Sequence, residues 1–79
     1  MPVASGQQSV ARQKPAPDLQ KRVKGAISLG DYYYNEGKYD DAIRAYKEGL
    51  KLDPNNAELR SGIGKAMQGK ATEERVLHQ

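Results

Sequence analysis

The chain of 79 residues contains no cysteine, carries a net charge of +3 and is 37% hydrophobic. This length allows one small domain, and the absence of cysteine excludes disulfides and thiolate metal sites as a source of stability. No apolar run approaches the roughly 20 residues that a membrane-spanning helix needs, so we expect a soluble chain, with the cytoplasm as its default compartment.

Residues 1–17 are small and polar and include Pro15 and Pro17, which disfavour helix immediately upstream. Such a segment buries too little apolar surface to offset the entropy of ordering, so we interpret it as a disordered tail or linker, with a short docking motif as the alternative. The positive charge is also concentrated near the start of the chain, in Arg12, Lys14, Lys21, Arg22 and Lys24. This is typical of a solubilising segment and disfavours nucleic acid as a partner.

The first predicted helix begins at Asp18, a good N-cap residue, and continues to about Asn35. A glycine within a helix costs roughly 1 kcal/mol relative to alanine, so we expect packing to require Gly30, whereas Gly25 lies away from the apolar stripe. The small and apolar residues follow the i, i+3, i+4, i+7 spacing of a single buried face. They are Ala26, Leu29, Gly30 and Tyr33.

The second predicted helix follows a break at Gly37, which suits the left-handed conformation that ends a helix. It opens at Tyr39 or Asp40 and is stopped by Asp53 and Pro54. Its apolar and small contact positions are Ala42, Ile43, Tyr46, Gly49, Leu50 and Leu52.

A third helix is predicted from a cap at Asn55 or Asn56 to about Val76. Its apolar positions again follow helical spacing: Leu59, Ile63, Ala66 and Met67. The pattern therefore predicts an all-α domain over 18–79, in which a helix-turn-helix hairpin is followed by one more helix.

At an offset of 34 residues the chain matches itself, placing Leu29 on Ile63 and Gly30 on Gly64 before the match fades. The residues at characteristic spacing are Leu29, Gly30, Tyr33, Gly37, Tyr39, Ala42, Tyr46, Leu50 and Asp53-Pro54-Asn55-Asn56. This combination resembles the tetratricopeptide repeat (TPR) family. The resemblance implies one repeat at about 23–56 and a closing helix at about 57–77.

The chain departs from the family pattern at three positions. Ala26 stands where the family often has a large aromatic residue, Gly49 stands where it usually has alanine, and Arg60 stands where the aromatic would recur. Because each change thins the packing or lowers helix propensity, we expect a looser hairpin than a consensus repeat.

In this family the first helix of each hairpin lines a groove that binds other proteins. The resemblance implies that the partner-binding positions here are Lys24, Ile27, Asp31, Tyr34 and Asn35. Helix geometry agrees for the first four, which are three or four residues apart and share one face. The alternative is a solvated face with two incidental apolar residues.

One TPR subgroup uses basic and amide residues of this groove to clamp the terminal carboxylate of heat-shock chaperones. Such charge-assisted recognition needs several donors together. This chain offers Lys24, but Ile27, Ser28 and Asp31 occupy the neighbouring positions, and the carboxylate of Asp31 would repel the ligand. We therefore expect no clamp.

The run Tyr32-Tyr33-Tyr34 points in three directions around a helix, so it cannot form one aromatic platform. We expect Tyr33 to join the core, Tyr32 to pack beside the second helix and Tyr34 to be a candidate contact residue, because exposed tyrosines often anchor interfaces. Simple packing of all three is the alternative.

The sequence shows no arrangement of residues that is typical of an enzyme active site. His78 stands alone near the end of the chain, and the adjacent Asp40 and Asp41 are better explained as partners of the helix dipole than as a metal pair. We expect neither enzymatic activity nor a cofactor.

The sequence therefore favours a protein-interaction module, a scaffold or adaptor that binds a peptide or a partner domain through a TPR-type surface. The alternative is a structural unit that forms a homo-oligomer by stacking hairpins between subunits, because one repeat cannot bury both of its faces. The identity of a partner is beyond what the pattern indicates.

Overall fold

A computed structural model describes residues 17–77, which form three helices: α1 (Pro17–Asn35), α2 (Tyr39–Leu52) and α3 (Ala57–Leu77). The predicted all-α architecture is confirmed. α1 begins one residue earlier than expected, with Pro17 in the first turn, where a missing N–H leaves no hydrogen bond unmade. The rest of the predicted tail, residues 1–16, lies outside the described part of the chain.

The turn between α1 and α2 is closed by Gly37, as the sequence predicts. Its φ of 75° is left-handed, a conformation that costs glycine no clash with a Cβ. The N–H of Gly37 donates to the carbonyl of Tyr34 at 3.0 Å, and the N–H of Lys38 donates to that of Tyr33 at 2.9 Å. This pair of bonds satisfies carbonyls at the end of α1 and turns the chain back so that α2 packs against α1.

The turn between α2 and α3 shows that Asn56, rather than Asn55, caps α3. The Asn56 side-chain oxygen accepts a hydrogen bond from the N–H of Leu59 at 2.9 Å, and its amide donates to Asp53 at 3.2 Å. A cap of this kind stabilises a helix by about 1 kcal/mol. Since the same side chain also contacts Asp53, it fixes the angle at which α3 returns to α2.

The core lies where the three helices meet, and its centre is Tyr46. This ring is only 2% exposed and lies directly against Gly30 of α1 and Gly62 of α3, whose missing side chains leave the space that the ring fills. The predicted packing role of Gly30 is confirmed. The other buried members of the cluster come from all three helices: Val23, Ala42, Leu59 and Ala66.

The seam between α2 and α3 repeats the pairing of tyrosine with glycine. Tyr39 lies against Gly69 as Tyr46 lies against Gly62, with seven residues separating the members of each kind. Two helical turns separate positions seven apart, so both tyrosines of α2 face α3. α3 therefore packs on α2 through two contacts in which a tyrosine ring of α2 fills the space beside a glycine of α3.

Packing around Gly49 is close, contrary to the expectation that the small residues at Gly49 and Ala26 thin it. A Cβ at Gly49 would lie 2.8 Å from both Leu59 methyl groups and 2.9 Å from the Cβ of Ala26. Leu59 is fully buried, so a side chain of α3 fills the space between α1 and α2 that a larger residue at either position would take. The small residues at these two positions admit Leu59 rather than leaving a void.

Three other packing predictions are wrong. Leu29 is expected in the buried stripe, but it is 48% exposed, and Met67, which follows the helical spacing of the apolar positions of α3, is 58% exposed. Tyr32 does not pack beside α2; it is 56% exposed and its ring contacts Tyr33 edge to face at 5.6 Å. Leu29 and Met67 each line an open groove against α2, on α1 and on α3 respectively, whereas Tyr32 lies on the side of α1 that faces away from the core. Tyr33 is half-buried against the core, as predicted.

Candidate partner-binding surface

Lys24 and Ile27 lie together on α1 beside a shallow depression of about 260 Å³. Ile27 is half-buried against the core and Lys24 is exposed, so the depression offers one aliphatic wall and one exposed ammonium group. Its remaining wall comes from the α2–α3 turn and the start of α3. The further lining residues are Gln20, Val23, Asp53, Asn56 and Glu58.

The contribution of Asp53, Asn56 and Glu58 to this depression was missed by the sequence reasoning. One signal was available for Glu58, because it lies 34 residues after Lys24 and so occupies the same place on the repeat pattern. For Asp53 and Asn56 the sequence indicates only that one helix ends and the next begins. The depression therefore carries two carboxylates opposite one ammonium.

Asp31 is held by a hydrogen bond that the sequence did not predict. Its carboxylate accepts the hydroxyl of Tyr46 at 2.5 Å, across the interface between α1 and α2. Burial of the ring and then this hydrogen bond raise the pKa of Tyr46 above its usual range, so the hydroxyl remains a donor even in mildly alkaline solution. One oxygen of Asp31 is thus engaged within the fold, while the residue itself is exposed.

Tyr34 and Asn35 lie at the far end of the same helix, near the α1–α2 turn. Tyr34 is half-buried, and its ring packs edge to face on Tyr39 with 5.6 Å between centroids. Asn35 is exposed. The structure thus brings Lys24 and Ile27 to one depression, whereas Asp31 and Tyr34 each contact a tyrosine of α2.

Other candidate chemistry is sparse in residues 17–77. No three His, Cys, Asp or Glu side chains in this range come close enough to hold a metal ion. None of the three described helices is long and apolar enough to cross a membrane. His78 lies just outside the described residues.

Comparison with known proteins gives relatives that share a short segment with this chain. It is 42% identical over 45 residues to Hsp70-Hsp90 organizing protein 1 of Glycine max, and the aligned segment covers 57% of this chain and 8% of the relative. It is 34% identical over 64 residues to protein O-mannosyl-transferase TMTC1 of Homo sapiens, covering 78% of this chain and 7% of the relative. It is 40% identical over 50 residues to RNA polymerase II-associated protein 3 of Xenopus laevis, covering 60% and 8%.

The chain thus spans less than a tenth of the length of each of these relatives. No solved structure matches it significantly. The sequence model of the TPR repeat family matches residues 30–70, slightly more than half of the chain. This range includes Gly30, Tyr46 and Gly62, which pack together as described above. On the strength of this match, the chain belongs to the TPR repeat family.

Proposed function

We propose that this chain is a scaffold or adaptor module that binds a peptide or partner domain through the inner face of α1. The face is made by Lys24, Ile27, Asp31, Tyr34 and Asn35. The observation that carries the proposal is the depression beside Lys24 and Ile27, because it combines an aliphatic wall with charged groups at its rim. The soybean relative, whose name describes organizing Hsp70 and Hsp90, is in keeping with a role in binding other proteins.

The charges of the depression indicate the kind of peptide that fits it. Asp53 and Glu58 supply two carboxylates against the ammonium of Lys24, and Ile27 supplies an apolar contact. A complementary ligand has an aliphatic side chain for the wall and a neighbouring basic residue for the carboxylates. We propose that an extended peptide of this composition is the preferred occupant.

Selection from a random peptide display library on the full chain, followed by fluorescence anisotropy, tests this proposal. We expect enriched peptides to carry an aliphatic residue next to lysine or arginine. Glu58→Lys is expected to weaken them about fivefold or more, because it removes an attractive rim charge and adds a repulsive one. The matched control is Glu48→Lys, the same change on the exposed face of α2 away from the depression.

Two outcomes would overturn the proposal. One is a library that yields no peptide binding better than scrambled versions of itself. The other is a set of binders whose affinity responds equally to Glu58→Lys and Glu48→Lys, since this would show that only overall charge matters. Circular dichroism of both variants establishes that the helices are intact.

Chaperone-tail peptides provide a separate test of specificity. We predict that a peptide ending in acidic residues and a free carboxylate binds no better than its C-terminally amidated form. Lys24 is the one basic residue among the five residues of the inner face, and Asp31 places a carboxylate on the same face. Isothermal titration calorimetry of the two peptides measures the two affinities to be compared. Binding of the free-acid peptide that is lost in Lys24→Ala would show that a clamp exists.

A further inference from the structure

The side of α1 that faces away from the core forms a continuous exposed strip. Each member within α1 lies three or four residues from another member, so these share one face of the helix, and Glu36 is the first residue of the turn after α1. We call Lys21, Gly25, Ser28, Leu29, Tyr32 and Glu36 the outer strip; all six are exposed. It is separate from the inner face proposed above to bind peptides, since none of the inner-face residues belongs to it.

The offset of 34 residues identifies the outer strip as a helix-packing face. The residues by which α3 packs on α2 include Leu59, Gly62 and Ala66, all of them buried. Subtracting the offset places them on Gly25, Ser28 and Tyr32 of α1. α1 thus presents the face that α3 buries, but among residues 17–77 nothing lies within 4 Å of a Cβ built on Gly25.

The outer strip is complementary to itself when two copies of α1 run antiparallel. With a two-fold axis between Ser28 and Leu29, Tyr32 of each copy faces Gly25 of the other, and Leu29 faces Ser28. This repeats the pairing of a large side chain with a small one that already joins α2 to α3, where Tyr46 lies against Gly62. Tyr32 and Leu29 are the largest apolar groups that α1 leaves exposed, at 56% and 48%.

The charges at the two ends of the outer strip agree with the same register. The axis that sets Tyr32 against Gly25 also sets Lys21 of each copy opposite Glu36 of the other. Two opposite-charge pairs therefore flank the apolar centre, one at each end. A parallel arrangement would instead place Lys21 near Lys21 and Glu36 near Glu36, which is repulsive.

We propose that a second copy of this chain docks on the outer strip, forming a two-fold antiparallel dimer through α1. Both partners use the same surface, as a closed two-fold interface requires. A contact confined to one helix from each copy is small, so the dimer is weak and depends on concentration. The inner face of each copy remains accessible in this arrangement.

Sedimentation equilibrium of the full chain over micromolar to millimolar concentrations tests the proposal by charge reversal. We expect reversible dimerisation, weakened about fivefold to tenfold by either Lys21→Glu or Glu36→Lys, because each puts like charges opposite one another at both ends. The double variant Lys21→Glu/Glu36→Lys restores opposite pairs and is expected to recover the affinity of the unmodified chain. A double variant weaker than both single variants would overturn the register.

Gly25→Leu tests the centre of the interface without disturbing the fold of one chain. The space around Gly25 is open, so the monomer accommodates the side chain, whereas the dimer places it against Tyr32 of the second copy. We expect no dimer up to the highest concentration. Leu29→Asp is expected to do the same, while Met67→Asp, a matched change at an exposed apolar residue of α3, leaves dimerisation unchanged. A strictly monomeric unmodified chain, or a Gly25→Leu variant that still dimerises, would refute the proposal.

Discussion

The α2–α3 seam and the outer strip of α1 use similar residues with opposite results. In the seam, Tyr46 covers Gly62 and Tyr39 covers Gly69, so each glycine is needed for close approach. In the outer strip, Gly25 and Tyr32 are both exposed within one copy. The difference shows that the value of a helical glycine depends on what lies opposite it, because the same residue is required in the seam and costs helix stability in the strip.

Gly30→Ala is the change that should affect stability most. The added methyl would overlap the ring of Tyr46, which cannot move away because Gly62 lies against it and Asp31 holds its hydroxyl. Overpacking of this kind costs about 1 to 3 kcal/mol, more than the roughly 1 kcal/mol that alanine contributes through helix propensity. Chemical denaturation should show a net loss. An unchanged midpoint would mean that the ring has room to shift.

Tyr46→Phe should cost about 1 kcal/mol, because it removes the hydrogen bond to Asp31 while keeping the ring. It should also alter the response to alkali. Because the pKa of Tyr46 is raised in the fold, its protonated hydroxyl contributes its full stabilisation below the unfolded pKa of about 10. This contribution is lost as the pH rises further. Thermal melts from pH 7 to 11 should therefore fall less steeply for Tyr46→Phe. Tyr32→Phe, at an exposed site, is the control that should follow the unmodified chain.

Gly25→Ala should stabilise the monomer by about 0.5 to 1 kcal/mol, the opposite sign to Gly30→Ala in the same helix. No described atom lies within 4 Å of the added methyl, so only the helix propensity changes. Denaturation at low protein concentration checks the value without a contribution from association. Destabilisation would indicate that residues outside 17–77 cover this position.

Lys70→Met should have the smallest effect. Lys70 of α3 pairs with Asp40 of α2 at 2.8 Å, and the hydrogen bond that its ammonium donates to this carboxylate, followed by the carboxylate's charge, raises the pKa of Lys70. The side chains of Lys70 and Asp40 are 42% and 67% exposed, and water and salt screen such pairs. We expect a slight loss of thermal stability at low salt that disappears at high salt. A loss that persists at high salt would assign Lys70 a packing role.

The helices were predictable because their ends carry local signals. Gly37 and Asn56 act on neighbouring backbone groups, so the sequence around them was sufficient. The burial of Leu29 was mispredicted because helical spacing defines a stripe but not how far the partner helix extends across it. The role of Gly62 escaped notice since it depends on Tyr46, which is distant in sequence.

The candidate surface was less predictable than the fold. Lys24 and Ile27 were identified by their shared face and lie at one depression. The bond between Asp31 and Tyr46, and the packing of Tyr34 on Tyr39, join different helices. Such contacts depend on the exact position of α2 beside α1, which a pattern within one helix does not contain.

Tyr46 has a consequence for how the molecule opens. Its ring touches α1 at Gly30 and α3 at Gly62, so the loss of either helix exposes the same buried side chain. Departure of α3 would therefore weaken the support of α1, although the two helices are joined mainly through α2. We expect the slowest amide protons of α1 and α3 to exchange through one shared opening, which makes three short helices a single cooperative unit rather than a hairpin with a detachable cap.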